Sequence, residues 1–279
     1  MKTDATRHDC RVGRAPWPGV HSVRTESERH FGRHWHDTFG IGVLEQGAQR
    51  SASGRGEVDA HAGELLACNP GEVHDGRPLG GQARRWRMVH VERDLLAGAA
   101  GRPDIELAQP VIRDARLHAD VRQLLDRLEA WQAARAATDV DLLACEESLA
   151  RVLGRLLDAH ASAVPVALEG ASFQHVARVR ERLADDLLAA PSLDELAALA
   201  QLGKYQLLRR FTRAYGLPPH AWLLQERVAR ARSAIRAGAS LAQAAARSGF
   251  ADQSHMTRAF TRQFGFTPGA WQRAMAGAQ

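Results

Sequence analysis

Cysteine is scarce in this chain of 279 residues. Only Cys10, Cys68 and Cys145 are present, and their spacing is irregular. Disulfide frameworks and cysteine-based zinc sites need paired or regularly spaced cysteines, so the sequence argues against both. We therefore expect three reduced thiols, as in proteins of a reducing compartment.

Long apolar runs are also absent. No stretch of the sequence approaches the roughly 20 apolar residues that a membrane-spanning helix requires. Residues 1–20 are polar, are interrupted by Pro16 and Pro18, and contain no apolar segment typical of a secretory signal. We expect a cytoplasmic protein whose first residues form a loose arm.

The residue patterns of common enzyme sites are missing as well. The sequence contains no convincing nucleophile–base pair, no glycine-rich phosphate loop and no paired carboxylates. We therefore expect a protein that is not an enzyme and that carries no cofactor.

Positive charge is concentrated in the C-terminal part of the chain. Residues 173–279 contain 15 Lys/Arg and 7 Asp/Glu, whereas residues 1–172 contain 22 and 25. Fourteen of those 15 cations are arginines, which suit bidentate contacts with phosphate and guanine. This asymmetry predicts a basic module that binds a polyanion, beside a module with another role.

The hydrophobic pattern changes twice along the chain. Short runs separated by Gly, Pro and Asn over residues 31–110 predict an antiparallel sandwich or barrel. Over residues 113–160, two sets of apolar residues recur at helical spacing and predict two antiparallel helices, the second capped by Thr138 or Asp139. The two sets are Leu117, Val121, Leu124, Leu125 and Leu128, and Leu142, Leu143, Leu149, Leu153 and Leu156. From residue 174 onward, the pattern and its Gly and Pro breaks predict about seven helices.

These changes divide the chain into four segments. The first is a β domain that begins with the loose arm, and the second is a helical segment that covers this domain or pairs with another subunit. A linker and a helical domain follow. The predicted boundaries are 1–110, with 1–20 as the arm, then 111–162, 163–174 and 175–279.

A twelve-residue pattern occurs twice in the last segment, 49 residues apart. Residues 211–222 read FTRAYGLPPHAW and residues 260–271 read FTRQFGFTPGAW, with seven identical positions. The wider units, 192–222 and 240–271, each begin with a Ser that can cap a helix, followed by a short helix, a Gly-containing turn and a second helix. This order is typical of the helix-turn-helix unit.

Each second helix has an apolar face and a polar face. The apolar residues recur at helical spacing: Leu207, Phe211 and Tyr215, then Met256, Phe260 and Phe264. The polar faces carry side chains of the types that hydrogen-bond base edges and phosphates: Tyr205, Gln206, Arg209 and Arg213 in the first unit, and Gln253, Ser254, Thr257, Arg258 and Arg262 in the second. One such face could be a solvated surface, but two copies within a basic domain favour contact with DNA.

The segment between the two units predicts a long amphipathic helix. Its buried side is predicted from five residues: Trp222, Leu223, Val228, Ala231 and Ile235. Such a helix would hold the two units at a fixed separation. A separation of about 34 Å would let both second helices enter successive major grooves, so that one chain reads two adjacent half-sites.

Residues 175–279 resemble the DNA-binding domain of AraC-type transcription regulators. The resemblance rests on GLPPHAWLLQERVARA, AARSGFADQSHMTRAFTRQFGFTPGAW and their spacing. It implies base contacts from two sets of residues: Tyr205, Leu208 and Arg209, then Gln253, Ser254, Thr257 and Arg258. Leu208 departs from the polar residue often found there, which leaves contact with a thymine methyl or no contact.

The segments HWHDTFGIGVLEQG and PGEVHDG resemble the cupin barrel that precedes the DNA-binding domain in many AraC-type regulators. The fold expected from both resemblances is α+β and multidomain, with an N-terminal cupin-like β-barrel and a C-terminal all-α double helix-turn-helix domain. The helical segment 111–162 is implied to form a homodimer.

Three histidines are candidate effector ligands. His34 and His36 share one face if they lie on a strand, and His74 follows a turn. Three imidazoles could hold a divalent metal, but metal-binding cupins usually add a Glu where this chain has Gly40 and Ile41. A polar pocket for an organic effector is favoured over a metal site, and ordinary surface or hydrogen-bonded histidines are the third reading.

The strand RWRMVHVE alternates two sets of side chains: Trp86, Met88 and His90, and Arg87, Val89 and Val91. The sequence does not decide which set faces the interior. Arg87 facing inward would favour an acidic effector, and we include it among the candidate effector ligands.

The leading hypothesis is a DNA-binding transcription regulator, an activator in our expectation, controlled by a small-molecule effector in the barrel. Double-stranded DNA, the effector and a second copy of the chain are the expected partners, with RNA polymerase as a possible fourth. One alternative is a metal-dependent cupin enzyme with an appended helical domain. Another is an architectural DNA binder whose barrel only dimerises.

Overall fold

The computed structural model describes three stretches of the chain: 7–134, 138–162 and 171–276. Their residues form two compact units. Of the described residues, 7–32, 36–134, 138–162 and 273–276 belong to the first unit, and 33–35 and 171–272 belong to the second.

The first unit is built mainly of strands, followed by helices. Its leading strands are β1 (His8–Arg14), β2 (Val20–Ser27), β3 (Phe31–His34), β4 (Thr38–Gln46), β5 (Ala48–Ser53), β6 (Gly56–His61), β7 (Leu65–Cys68), β8 (His74–Pro78) and β9 (Arg84–Glu92). After them come α1 (Arg93–Ala100), β10 (Glu106–Leu107), β11 (Val111–Ile112), α2 (Ala115–Ala133), α3 (Asp139–Ala159) and β12 (Ala161–Ser162).

The strands pair into two main sheets. A six-stranded sheet has the order β1-β2-β9-β4-β7-β11, and a four-stranded sheet has the order β3-β8-β5-β6. β10 and β12 form a separate pair. In the described part of the chain no strand pairing joins the two main sheets, so the predicted β domain is present but is an open arrangement of two sheets rather than a closed barrel.

The core of the first unit lies between the six-stranded sheet and the two long helices. Phe39, Ile41 and Val43 alternate along β4, and Val89 and Val91 extend the same face on β9. Side chains two apart on a strand share a face, so this apolar face meets the apolar stripe of α2. Each large side chain buried in this way contributes about 1.5–3 kcal/mol.

The helical pattern of residues 113–160 is confirmed, with one exception. The predicted stripe of α2 is fully buried: Leu117, Val121, Leu124, Leu125 and Leu128. Asp114 accepts hydrogen bonds from the Arg116 and Leu117 amides to cap α2, and Thr138 with Asp141 forms a capping box on α3. Leu143, predicted to belong to the α3 stripe, leaves 55% of its surface exposed.

Two predictions for the first unit need correction. His8–Arg14, predicted to belong to the loose arm, form β1 and pair antiparallel with β2 over seven residue pairs. The apolar segment RDLLAGAA forms α1, a helix that the hydrophobic pattern of residues 31–110 did not predict. Pairing with the next strand along the chain, β2, stabilises β1 although its own sequence, HDCRVGR, is mainly polar.

The three cysteines are free thiols, as predicted. Cys68 and Cys145 are buried, and Cys10 is half-buried. Burial raises the pKa of the Cys68 thiol to about 12, so this group stays protonated at neutral pH.

The second unit is helical. Its helices are α4 (Ala171–Asp185), α5 (Leu193–Ala200), α6 (Lys204–Tyr215), α7 (Pro219–Arg236), α8 (Leu241–Arg247), α9 (Gln253–Phe264) and α10 (Pro268–Met275). These are seven helices among the described residues, as predicted. Of the predicted linker 163–174, residues 163–170 lie outside the described part, and residues 171–174 belong to α4.

The long helix α7 buries the side that the sequence predicted. Its five predicted residues are all buried: Trp222, Leu223, Val228, Ala231 and Ile235. Pro219 occupies the first turn, where its missing amide hydrogen costs nothing. None of the described helices is both long enough and apolar enough to span a membrane.

Candidate functional site

The first helix-turn-helix unit consists of α5, a turn and α6. Ser192 and Glu195 form a capping box at the start of α5. Gln201 ends that helix with a φ of 52°, in the left-handed region. Gly203 precedes α6 and has no side chain to cap it. Leu207 and Phe211 are completely buried and fix the orientation of α6.

The second unit consists of α8, a turn and α9. Ser240 and Gln243 form the capping box of α8. Gly249 lies in the turn with a φ of 77°, and a Cβ atom there would lie 2.4 Å from the Leu187 carbonyl oxygen. The Asp252 side chain accepts a hydrogen bond from the backbone amide of His255 and caps α9.

The polar faces predicted for α6 and α9 lie at the surface. All six arginine and glutamine side chains of the two faces and one serine are exposed: Gln206, Arg209, Arg213, Gln253, Ser254, Arg258 and Arg262. Leu208 and Thr257 are half-buried. Tyr205 lies in the first turn of α6, and its side chain falls outside the described part. Each unit therefore presents polar and cationic groups opposite the face that packs into the domain.

Two arginines of the basic domain have structural roles instead. Arg232 is buried, its guanidinium lies over the rings of Phe264 and Trp271 at 5.3 and 5.1 Å, and its carbonyl oxygen accepts a hydrogen bond from Trp271 Nε1. Arg227 donates to the Leu187 carbonyl oxygen at 2.7 Å. Charge counting alone could not separate these arginines from those at the surface.

A second candidate site is a group of histidines at the ends of strands. His34 ends β3 and His74 begins β8, the neighbouring strand in the four-stranded sheet, while His36 lies in the short connection to β4. One ring nitrogen of each lies within 4.8 Å of the others. The structure thus brings together all three histidines that the sequence singled out.

His74 has a defined tautomer in this arrangement. Its Nδ1 lies 2.9 Å from the Glu72 carbonyl oxygen, which can only accept, so Nδ1 carries the proton. The lone pair is then on Nε2. Burial lowers the pKa of His74, which keeps the imidazole neutral near pH 7. This is the form in which imidazole binds a metal or accepts a hydrogen bond from an effector.

Two further histidines adjoin the group. His90 contacts His36 edge-on, with ring centroids 5.5 Å apart, and stacks on His21 at 4.8 Å. His90 also hydrogen-bonds Thr38. Sequence reasoning noted that His90 alternates with valines but did not assign its face. The two valines on the other face, Val89 and Val91, were the available signal.

Arg87 does not join the histidines. It forms ion pairs with Glu45 at 2.5 Å, with Asp126 at 2.8 Å and with Glu129 at 3.3 Å. Asp126 and Glu129 belong to α2, so Arg87 lies on the helix-covered face of the sheet together with Val89. The sequence left the orientation of Arg87 open, and the structure places it with Val89 and Val91 on the helix-covered face, away from the histidines.

The buried arginine on the opposite face of β9 is Arg84, which the sequence analysis missed. It donates hydrogen bonds to Gln49 Oε1 on β5 and to the Gly76 carbonyl oxygen on β8, and thereby links the two sheets. Its guanidinium also lies 4.9 Å from the centre of the Trp86 ring. Burial lowers its pKa to about 10.

Two family models match the two parts of the chain. One, described as the AraC-like ligand binding domain, matches residues 20–153, and the other, a helix-turn-helix domain, matches residues 196–274. Together they cover both the histidine group and the two helix-turn-helix units.

Known proteins match the same arrangement. YbfI of Bacillus subtilis (strain 168), named an uncharacterized HTH-type transcriptional regulator, is 28% identical over 232 residues, which are 81% of each chain. MtrA of Neisseria gonorrhoeae, named an HTH-type transcriptional regulator, is 30% identical over 83 residues, which are 29% of this chain and 28% of MtrA. The crystal structure of ToxT from Vibrio cholerae O395 has the same fold, with a TM-score of 0.50 and 9% identity over 98% of both chains.

These comparisons agree with the geometry. Both named relatives are transcriptional regulators, which argues against the enzyme alternative. The chain therefore has an AraC-like ligand-binding domain followed by a helix-turn-helix domain, and it is homologous to HTH-type transcriptional regulators.

Proposed function

We propose that this regulator reads a specific DNA sequence through α6 and α9, and that a small-molecule effector bound at the histidine group controls this binding. The observation that carries the proposal is the pair of surface-facing helices, each with arginines on its polar face, in one chain with a ligand-binding domain.

The chemistry of the two faces supports specific recognition of DNA. Arg209 and Arg258 are exposed and can form bidentate hydrogen bonds to guanine, while Gln206 and Gln253 can pair with adenine. Arg213 and Arg262 lie in the last turns of their helices, and we assign them to phosphates. Leu208 and Thr257 can contact a thymine methyl group.

The effector site that we propose comprises His34, His36 and His74. Their ring nitrogens can donate or accept hydrogen bonds according to tautomer, which suits an organic molecule with several polar groups. We leave Arg87 out of this site because three carboxylates already engage it.

Control of DNA binding requires a difference in affinity. The effector must bind more tightly to one arrangement of the protein than to another, because a ligand that binds both equally shifts nothing. Effector and DNA then alter each other's affinity by the same factor.

We also propose that α2 and α3 form a homodimer contact. Leu143 is largely exposed on α3, unlike Leu149 and Leu153 of the same helix, and would be covered by a partner. An open groove of about 730 Å³ runs along α2 beside Arg151 of α3, and it is lined mainly by charged and polar residues. Leu143→Glu should yield monomers in analytical ultracentrifugation, with Asp104→Ala as a control because Asp104 is exposed outside both helices.

The decisive experiment for DNA binding uses fluorescent fragments of the DNA upstream of the gene for this chain and its neighbours. Fluorescence anisotropy is compared with scrambled DNA across a salt series. Tight binding to one fragment, with discrimination that persists at physiological salt, supports the proposal. The contrary result is binding that is equal for every fragment and falls steeply with salt, with and without candidate effectors. It would show that the protein is attracted only to DNA phosphates and would contradict specific recognition.

A further inference from the structure

We infer that the effector is an organic carboxylate, and that Arg84 and Ser51 bind its anionic group in the space beside Gly76, between the two main sheets of the first unit. The inference rests on the proposed function only in identifying the bound molecule as the effector. Binding of a simple carboxylate at Arg84 can be measured without DNA.

Strand β9 carries two buried arginines on opposite faces, and they differ in how their charge is compensated. Arg87 forms ion pairs with three carboxylates, two of them on α2. Arg84 is only 1% exposed, and among the described residues no carboxylate oxygen lies within 4.0 Å of its guanidinium nitrogens. A buried charge is costly unless an opposite charge accompanies it. The first unit therefore holds at Arg84 a positive charge that an anion can neutralise.

The hydrogen bonds of Arg84 leave part of its guanidinium available. Nε donates to Gln49 Oε1 at 3.0 Å, Nη1 to the Arg29 carbonyl oxygen at 3.1 Å and Nη2 to the Gly76 carbonyl oxygen at 3.0 Å. These three acceptors are neutral, and a guanidinium has five N–H groups, so one N–H remains on each Nη nitrogen. The pKa of Arg84, lowered by burial to about 10, still keeps the group charged at neutral pH. Two N–H groups on a cation are suited to the two oxygens of a carboxylate.

Gly76 leaves room beside this guanidinium. The residue is buried in β8, yet a Cβ atom there would have only two described atoms within 4 Å apart from its chain neighbours. These atoms are Arg84 Nη2 at 3.5 Å and Ser51 Oγ at 3.9 Å. A glycine inside a strand often marks a place where a ligand approaches the backbone closely. The space at Gly76 is thus bounded by a cation and a hydroxyl group.

The Ser51 hydroxyl supplies a further donor. The register of β5 and β8 places Ser51 directly opposite Gly76. Ser51 Oγ accepts a hydrogen bond from Gln49 Nε2 at 3.0 Å, which leaves its own hydrogen to donate. The side chains around the space therefore offer donors and a positive charge, and an anionic oxygen group complements both.

Aromatic rings favour an organic anion over a free inorganic one. The Arg84 guanidinium carbon lies 5.7 Å from the centre of the Phe31 ring and 4.9 Å from the centre of the Trp86 ring. The two rings contact each other edge to face, with centroids 5.9 Å apart. Small-molecule sites combine such apolar walls with a few polar groups that fix the orientation of the ligand. The rings would contact the carbon skeleton that carries the carboxylate.

The same face of β8 connects this space with the proposed histidine site. His74 and Gly76 are two residues apart, so they share a face and lie about 6.6 Å apart along the strand. His74 Nδ1 donates to the Glu72 carbonyl oxygen, which leaves the lone pair of Nε2 to accept a hydrogen bond. A small molecule whose carboxylate contacts Arg84 can therefore donate to His74 from a hydroxyl or amide group.

The test measures binding of acetate and benzoate to the full-length protein by isothermal titration calorimetry. Benzamide is the uncharged counterpart of benzoate, and sodium chloride keeps the ionic strength equal. Arg84→Met removes the charge, and Gly76→Val fills the space. Arg77→Met is the matched control on β8, because Arg77 is exposed on the opposite face, and Gly54→Val is the matched glycine control in an exposed turn.

We expect one benzoate per chain and at least tenfold weaker binding of benzamide, because a hydrogen bond to a charged partner is the stronger kind. Both site variants should bind acetate and benzoate at least tenfold more weakly than the wild-type protein, and both control variants should bind them equally well. Gly76→Val retains the guanidinium, so it keeps the test valid if Arg84→Met fails to fold.

Two outcomes would overturn the inference: a folded wild-type protein that binds neither carboxylate in preference to benzamide, or carboxylate binding that both site variants retain. DNA binding is measured in the same preparations. Loss of the carboxylate result with DNA discrimination intact would reject the anion site alone, whereas Arg84-dependent binding without any DNA discrimination would reject the proposed function instead.

Discussion

The two helix-turn-helix units have nearly the same sequence pattern but different local stabilisation. In the turn, the second unit places Gly249 in the left-handed region, where the first unit places Gln201. At the start of the recognition helix, the second unit has the capping carboxylate of Asp252, where the first has Gly203 without a side chain. The second unit therefore has the better residue at both critical positions.

The cores behind the two recognition helices differ as well. Phe260 of the second unit packs edge-on against Phe264 and Phe266, and Phe266 stacks on Trp271. In the first unit, Phe211 contacts Tyr215 and Trp222. A repeated sequence thus specifies the same fold twice, while the local stability of each copy depends on a few residues in the turn, the cap and the core. We expect the second unit to be the more rigid of the two.

The largest effect is expected from Gly249→Ala. The new Cβ atom would clash with the Leu187 carbonyl oxygen and with Arg227 Nε, which hydrogen-bond each other, in a backbone conformation that alanine disfavours. We expect the variant to destabilise the second unit by about 2–4 kcal/mol. Amide hydrogen exchange in α8 and α9 measures this loss locally.

The matched change in the first unit is Gln201→Ala. Gln and Ala both place a Cβ atom in the left-handed region. The free energy of local opening that exchange reports for α5 and α6 should therefore change by less than about 0.5 kcal/mol. Gln201→Gly should slow exchange there, because it relieves a strain of about 1 kcal/mol. Equal responses of the two units to alanine would show that the turns are equivalent and would remove the basis of the comparison.

The second effect concerns the DNA contacts. Arg209→Ala and Arg258→Ala should each weaken binding to the specific site by about 1–3 kcal/mol, because each removes a bidentate contact with one base. Base preference should relax in one half-site for Arg209→Ala and in the other for Arg258→Ala. Selection from a randomised operator library measures both preferences.

Arg178→Ala is the control for this pair, because it removes one exposed positive charge from α4, outside both recognition helices. It should leave base preference unchanged in both half-sites. If Arg209→Ala and Arg258→Ala also left affinity and base preference unchanged, the assignment of these arginines to bases would be wrong.

The parts of the structure that follow from local patterns were predictable. The caps Ser192, Ser240 and Thr138 and the buried stripes of α2 and α7 were read from spacing, because helix periodicity and capping depend on neighbours in sequence.

The missed features depend on contacts between separate strands and helices. The alternation of Arg87 with His90 separates two faces, but only the packing of α2 on the sheet decides which face is covered. Strand β1 needs β2 as a partner, and the role of Arg84 needs β5 and β8. The sequence raised the possibility that His34, His36 and His74 lie together. The proximity of His90 to them could be seen only in the folded structure.

The third effect comes from the helix cap that only the second unit possesses. Asp252→Ala removes the acceptor for the His255 amide and should destabilise α9 by about 1 kcal/mol. Gly203→Ser supplies a cap to the first unit and should stabilise α6 by a few tenths of a kcal/mol. Hydrogen exchange of the first turn of each helix measures both changes. Faster exchange in the Gly203→Ser variant would contradict the view that α6 lacks a cap.

The smallest effect distinguishes the two capping boxes by pH. The first box uses Glu195, whose pKa is lowered by hydrogen bonds from the Ser192 amide and hydroxyl, whereas the second uses the neutral Gln243. A carboxyl with a lowered folded-state pKa contributes stability that is complete above its ordinary value of 4.5 and is lost as pH falls through the folded-state value.

The first unit should therefore lose protection at α5 in that acidic range, and Glu195→Gln should abolish this local pH dependence. The effect is small because Glu195 is exposed. Hydrogen exchange at α5 therefore has to be compared between the wild-type protein and the Glu195→Gln variant at each pH. Gln243→Glu transfers the same chemistry to the second unit and should create a matching dependence at α8. A dependence at α5 that survives Glu195→Gln would assign the titration to another group and leave the two boxes equivalent.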